Sequence, residues 1–264
     1  MAPKGTGPTR EAARLLRQRM EMGEHELFLG GLTRQQALAL AAEARRGAAS
    51  TPAGSASTRR PDRAPRAETP AAPRELPVLS DDYTELRASA LACTRCRLSE
   101  TRTQVVFSDG AVDARLVVVG EAPGANEDET GLPFVGAAGK YLDLLLSSVG
   151  LSREDSVYIC NVLKCRPPGN RNPMPDEIEA CAPYLKKQLE LIRPRALLAV
   201  GSFSSQLLTG SEKSALGRLR GQVHSYEGVP LVCTYHPAAL LRNPKWTRSF
   251  WDDLQLLRTL LDSA

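Results

Sequence analysis

Four short apolar runs, each followed by a stretch with helical spacing, constrain the fold of this chain more than any other feature. The runs are Leu116–Gly120, Val157–Asn161, Ala196–Gly201 and Leu231–Tyr235. They are apolar throughout rather than alternating, which is the pattern of strands covered on both faces. Helix formers with apolar residues three and four apart occupy Ala137–Val149, Asp176–Ile192, Phe203–Leu208 and Thr247–Leu261. Strand and helix in alternation predict a three-layer α/β/α sandwich around a central four-stranded parallel sheet. Ligands in such folds gather at the carboxyl ends of the strands. Three of the four ends carry unusual residues: Gly120-Glu121-Ala122-Pro123-Gly124, Asn161, and His236-Pro237.

The first 79 residues have a different character. Segments 9–22 and 33–46 each begin with Thr and show helical spacing. From Gly47 to Pro77 the chain is mostly Ala, Ser, Pro and Arg, too poor in large apolar residues to offset the entropy of ordering. The expected organisation is a helical extension over 1–46, a disordered linker over 47–79 and a domain over 80–264. Charge follows the same division: residues 1–75 hold 13 Lys+Arg against 8 Asp+Glu, and the remainder 21 against 22. A nearly neutral domain must bind phosphate through local Arg and Lys placement and backbone amides, not through a global positive field. Apolar runs of membrane-spanning length and the charged-apolar-small order of an export signal are both lacking, so a soluble, cytoplasmic protein with no membrane role is expected.

Six cysteines stand at 93, 96, 160, 165, 181 and 233, and without an export signal a disulfide framework is not expected. Cys93 and Cys96 form a C-x2-C pair after a helix capped within DDYTELRASALA. Cys165 follows the second run, and Cys181 lies in the helix begun by Pro175 and Asp176, with the loop RPPGNRNPMP between them. Four thiolates suit tetrahedral zinc or an iron–sulfur cluster, and separate buried cysteines acting as small hydrophobes remain open on spacing alone. Cys160 and Cys233 lie inside strands and read as core residues.

Five motifs in register then carry a resemblance: CTRCRL from Cys93, VVVGEAPG from Val117, GLPFVG from Gly131, NVLKCRPPGNR from Asn161 and HPAALLRNP from His236. In this order the chain resembles the family-4, iron–sulfur uracil-DNA glycosylases from about Asp82 to Leu261. The resemblance implies excision of uracil from single- or double-stranded DNA by hydrolysis of the N-glycosidic bond, opening base excision repair. It also implies a [4Fe–4S] cluster on Cys93, Cys96, Cys165 and Cys181, with a structural role. A monomer is expected, its N-terminal extension free to meet a repair or replication partner.

Roles for individual residues follow from the same resemblance. Phe134 matches the stacking residue, Asn161 the amide that donates to uracil O4 and accepts from N3–H, and His236 the donor to O2 where negative charge builds. Gly120 and Ala122 offer backbone amides to the base. Glu121 orients water or offsets positive charge on the sugar. Better-known branches place Asp at the slot of Ala122 and Tyr at that of Gly124, so the water-activating group and the means of excluding thymine stay open. Glu127 and Asp128 are nearby carboxylates that share that role or sit at a solvated helix start. Leu240, Leu241 and Arg242 match a loop that wedges into the minor groove. Lys164, Arg166 and Arg171 are further candidate phosphate contacts. Two rival readings are a uracil-binding lesion sensor without catalysis and a zinc-ribbon interaction module.

Overall fold

The structure is a computed structural model that describes residues 79–263. The helices expected in 9–22 and 33–46 and most of the linker lie outside the described residues. Six strands follow in order: β1 (Asp109–Gly110), β2 (Leu116–Gly120), β3 (Val157–Asn161), β4 (Ala196–Val200), β5 (Val223–Tyr226) and β6 (Val229–Thr234). The helices are α1 (Tyr83–Leu91), α2 (Ala125–Thr130), α3 (Ala137–Ser147), α4 (Pro175–Ile192), α5 (Ser202–Thr209), α6 (Leu216–Leu219), α7 (Pro237–Arg242) and α8 (Thr247–Asp262).

All strands join one sheet in the order β1-β3-β2-β4-β6-β5. Its centre, β3-β2-β4-β6, is the expected parallel four-stranded unit. Each edge adds one antiparallel strand, so the described sheet has six strands rather than four. The β5–β6 hairpin turns on Glu227 (φ 48°) and Gly228 (φ 88°), two consecutive left-handed residues that match the right-handed twist of the flanking strands.

Strand periodicity divides the core in two. Leu116, Val118, Ile159, Leu198 and Val232 face one side, where they meet Leu142 and Leu146 of α3 and Phe250, Leu254, Leu257 and Leu261 of α8. Val117, Val119, Cys160, Leu197 and Cys233 face the other, against Leu185, Leu189 and Ile192 of α4 and Leu208 of α5. Each fully buried side chain of this kind contributes roughly 1.5–3 kcal/mol relative to exposure. Cys160 and Cys233 are thus core residues, both fully buried.

The helix α1 docks separately, through Leu86 and Ala90 on Phe107 and Tyr184. A buried polar chain fixes that contact. Gln188 donates to the Phe107 carbonyl and to the Tyr158 hydroxyl, which bonds Tyr83 of α1 at 3.1 Å. The segment leading into Cys93 is therefore tied to both α4 and β3. Among the described residues no helix is long and apolar enough to cross a membrane.

Candidate active site and cysteine cavity

The β2–β3 register sets Gly120 opposite Asn161 at the carboxyl end of the sheet. A Cβ on Gly120 would lie 2.3 Å from Asn161 Oδ1 and 2.7 Å from the Phe134 ring. The missing side chain keeps open a space bounded by an amide and an aromatic face. Asn161 is 2 % exposed, and its Oδ1 is buried without a hydrogen-bond partner. Such an acceptor costs about 1–3 kcal/mol, recoverable by a ligand N–H. The Asn161 backbone is anchored by the Lys164 ammonium, which donates to its carbonyl at 2.8 Å. Amide bonds from Val162 to Gly120 and from Leu163 to Glu121, both 3.0 Å, extend the strand pairing into the turn.

Phe134 reaches this space from the turn before α3. Its φ of 53° is left-handed, a conformation that costs a bulky residue on the order of 1–3 kcal/mol. The ring stacks beside that of His236, with centroids 5.5 Å apart and planes 28° apart. The turn is tied to the one after β2 by Glu127, whose Oε1 accepts from Val135 and Gly136 at 3.0 Å and whose Oε2 accepts from Gly124 at 3.1 Å. Asp128 is buried and accepts from the Thr103 amide. Neither carboxylate is a solvated helix start, and both are occupied by backbone donors.

His236 follows β6 and caps α7, where the sequence suggested only a loop. Its Nδ1 accepts from the Ala238 amide at 3.2 Å, so in the neutral ring the proton belongs on Nε2. Burial, reinforced by Arg242 and opposed by Glu127, pulls the imidazole down to about 4, which leaves it neutral at physiological pH. The strand end beneath it is held by Asp253, which accepts from Thr234 at 2.7 Å and pairs with Arg220 at 2.9 Å. Sequence reasoning missed this buried carboxylate. The available signal was an Asp on the same α8 face as Phe250, Leu254 and Leu257. Glu121, after β2, is largely shielded from water, and burial holds its carboxyl above the usual carboxylate range.

The proposed wedge needs correcting. Leu240 is 1 % exposed and packs in the core with α8, because a helix beginning at Pro237 turns that position inward. Leu241, at 48 % exposure, and the exposed Arg242 are the residues that project. Lys164 is also no phosphate contact, being 2 % exposed and directed at the Asn161 carbonyl. Arg171 is bound to Glu177 by two bonds and Arg166 to Asn170 by one.

Cys93, Cys96, Cys165 and Cys181 all line a single small cavity, partly open to solvent, together with Arg102, Lys164 and Tyr184. Arg102 donates to Cys165 Sγ at 3.2 Å, and the Lys164 amide donates to Cys181 Sγ at 3.3 Å. Burial raises the Cys96 and Cys165 thiols and pushes Cys181 up to about 12. Three segments that carry these cysteines are tied outside the cavity as well. Arg97 pairs with Asp176 at 2.7 Å, and the fully buried Glu177 binds Arg171 of the intervening loop.

Residues 107–255 match the model of the uracil DNA glycosylase superfamily. The chain belongs to that superfamily. A type-4 uracil-DNA glycosylase of Archaeoglobus fulgidus is 45 % identical over 177 residues, which cover 64 % of this chain and 88 % of the relative. One of Thermotoga maritima is 46 % identical over 152 residues, 57 % of this chain and 79 % of the relative. A type-5 uracil-DNA glycosylase of Pyrobaculum aerophilum is 35 % identical over 148 residues, 50 % and 64 % of the two chains. The superfamily match takes in Gly120, Glu121, Phe134, Asn161 and His236. It begins after Cys93 and Cys96, so in this superfamily member one cysteine pair falls outside the match and Cys165 and Cys181 fall within it.

Proposed function

We propose that this chain is a monofunctional uracil-DNA glycosylase that binds a flipped deoxyuridine at the carboxyl ends of β2, β3 and β6 and hydrolyses its N-glycosidic bond. The observation that carries this reading is the unpartnered, buried Oδ1 of Asn161 beside Gly120 and the Phe134 ring. An acceptor waiting over an aromatic floor suits the N3–H of uracil, and the same amide's Nδ2 suits O4. Cytosine presents the opposite pattern at both atoms and would leave buried groups unpaired. Extruding the nucleotide costs a few kcal/mol, which stacking on Phe134 and the edge contacts offset.

In the reaction the C1′–N1 bond breaks and N1 keeps the electron pair, so negative charge spreads over the base, largely to O2. The His236 Nε2–H, fixed by the bond at Nδ1, is the donor for that charge. A neutral donor gains interaction as the charge develops, whereas an imidazolium would bind anions indiscriminately. Water forms the new bond at C1′ and gives up a proton to solvent, and the departing uracil anion takes one up to leave as neutral uracil. Glu121, the shielded carboxylate in the turn after β2, orients that water or balances the positive sugar. The amides of Gly120 and Ala122 meet the base, and Leu241 and Arg242 contact the duplex. All these groups come from one chain, so a monomer suffices.

The cysteine cavity fits a [4Fe–4S] cluster. Its four sulfurs line one cavity, and two of them already accept N–H donors of the kind that surround cluster sulfurs. When bound, the cluster supplies a cross-link rather than chemistry, since the hydrolysis moves no electrons. Binding of a cationic centre would release the protons that burial keeps on Cys96, Cys165 and Cys181.

The test is competition between bases. Oligonucleotides with one deoxyuridine, single- or double-stranded, should lose free uracil, and matched deoxycytidine oligonucleotides should stay intact. Asn161→Ala should narrow that gap at least about a hundredfold. Equal action on both bases by the wild type would sink the reading of Asn161.

A further inference from the structure

Phe134 occupies a backbone conformation it would not choose, and something must hold it there. Its φ of 53° is left-handed, and its carbonyl is closely enclosed on two sides. On one side is Gly139 of α3, where an added Cβ would stand 1.7 Å from the Phe134 oxygen. On the other is Arg153, from the loop between α3 and β3. Its guanidinium donates to the Phe134 carbonyl at 2.9 Å and to the Pro133 carbonyl at 3.2 Å.

The same guanidinium is fixed from behind. It bonds Asp109 of β1 at 2.8 Å and Asp143 of α3 at 2.9 Å, and the Arg153 side chain is only 18 % exposed. Four partners from three separate segments therefore meet one planar fork. A lysine ammonium, with its donors at a single point, cannot span them. The two carboxylates aim the arginine, and the arginine aims the two carbonyls of the turn that carries Phe134. Arg153, Asp109 and Asp143 have no place in the chemistry described above.

We propose that Arg153, with Asp109 and Asp143 behind it, is a positioning residue that sets the aromatic platform for the flipped base. This rests on Phe134 being that platform. A residue acting through Phe134 affects holding of the base, which is equal in ground and transition states, so its loss raises KM more than it lowers kcat.

The test is a double-mutant cycle on the full chain as purified, with a single-stranded oligonucleotide carrying one deoxyuridine: wild type, Phe134→Ala, Arg153→Met and the double variant. Arg153→Met should raise KM on the order of tenfold with kcat within about threefold, Arg153→Lys should not restore it, and the double variant should be no worse than Phe134→Ala alone. Defects that multiply in the double variant would show that Arg153 supports the fold at large and would overturn the proposal. A normal KM for Arg153→Met overturns it too, while a normal KM for Phe134→Ala sinks the platform reading itself. Should Arg153→Met fail to fold, Asp109→Asn keeps the arginine and loosens its aim. In the same cycle it should raise KM by a smaller factor that Phe134→Ala absorbs, and a normal KM or multiplying defects would again overturn the proposal.

Discussion

A histidine that accepts a backbone amide at Nδ1 carries its remaining proton at Nε2, and His236 is held in that state by burial that draws its pKa to about 4. The sign matters for pH dependence. A depressed imidazole stays neutral from alkaline pH down to about 4, so no loss of activity should be centred near 6.5, where a free histidine titrates. The acid limb belongs instead to Glu121, which burial holds above the usual carboxylate range and which must be ionised to act. The pH profile of kcat/KM should therefore fall on the acid side of neutrality in the wild type, and that limb should vanish in Glu121→Gln. An inflection near 6.5 that survives in Glu121→Gln would contradict the assignment. Gly120→Ala should cost on the order of a hundredfold in kcat/KM with the fold intact, because its Cβ competes with Asn161 Oδ1 and the Phe134 ring; melting and uracil-release assays on one preparation check both halves. That Asn161 and His236 stand at the carboxyl ends of strands was legible from the apolar runs, whereas the roles proposed for them and for Phe134 came only with the motif order that carries the resemblance. The place of Leu240 was not legible, since whether it faces solvent depends on α7 beginning at Pro237, one residue after the cap. Glu127 and Asp128 misled for a related reason: two acidic residues in a first turn resemble a solvated cap until the amides of Val135, Gly136 and Thr103 arrive from elsewhere.

Elements meet the site through close approach more than through bulk. Helix α3 can lie against the turn before it only because position 139 has no side chain, the Phe134 oxygen occupying where a Cβ would be. Gly139→Ala should accordingly destabilise the protein by about 3 kcal/mol, read as a drop in melting temperature, with backbone rather than a flexible side chain having to yield. An unchanged melting temperature would mean that α3 and the turn are less tightly seated than this. Strands β2 and β3 were readable to the residue because all five positions of each are buried, on both faces of the sheet. The edges were hidden. β1 is two residues long, too short for any periodicity, and the β5–β6 turn uses Glu-Gly, in which a left-handed Glu227 stands where Asn or Asp would have announced a hairpin.

Across the whole described domain, the two cores on either face of the sheet are supplied by sequence-local patterns, whereas the α1 side depends on long-range ties. Cys93 and Cys96 come from one segment, Cys165 from the loop after β3 and Cys181 from α4, and the fold brings all four to one cavity. The C-x2-C spacing and the Pro-rich loop suggested that the four sulfurs could meet, and the Arg97–Asp176 and Arg171–Glu177 pairs tie together the segments that carry them. Cys181→Ser should abolish the broad absorbance near about 400 nm that thiolate-bound iron gives and lower the melting temperature. A colourless wild type that binds zinc would contradict the cluster. The most direct test of the central claim is single-turnover release of free uracil from a deoxyuridine oligonucleotide by wild type and by His236→Ala. Release by the wild type that falls about a hundred- to a thousandfold in the variant, with substrate binding retained, is the expected result. Wild-type protein that binds the oligonucleotide and leaves every deoxyuridine linkage intact, or a His236→Ala variant as fast as the wild type, would contradict it.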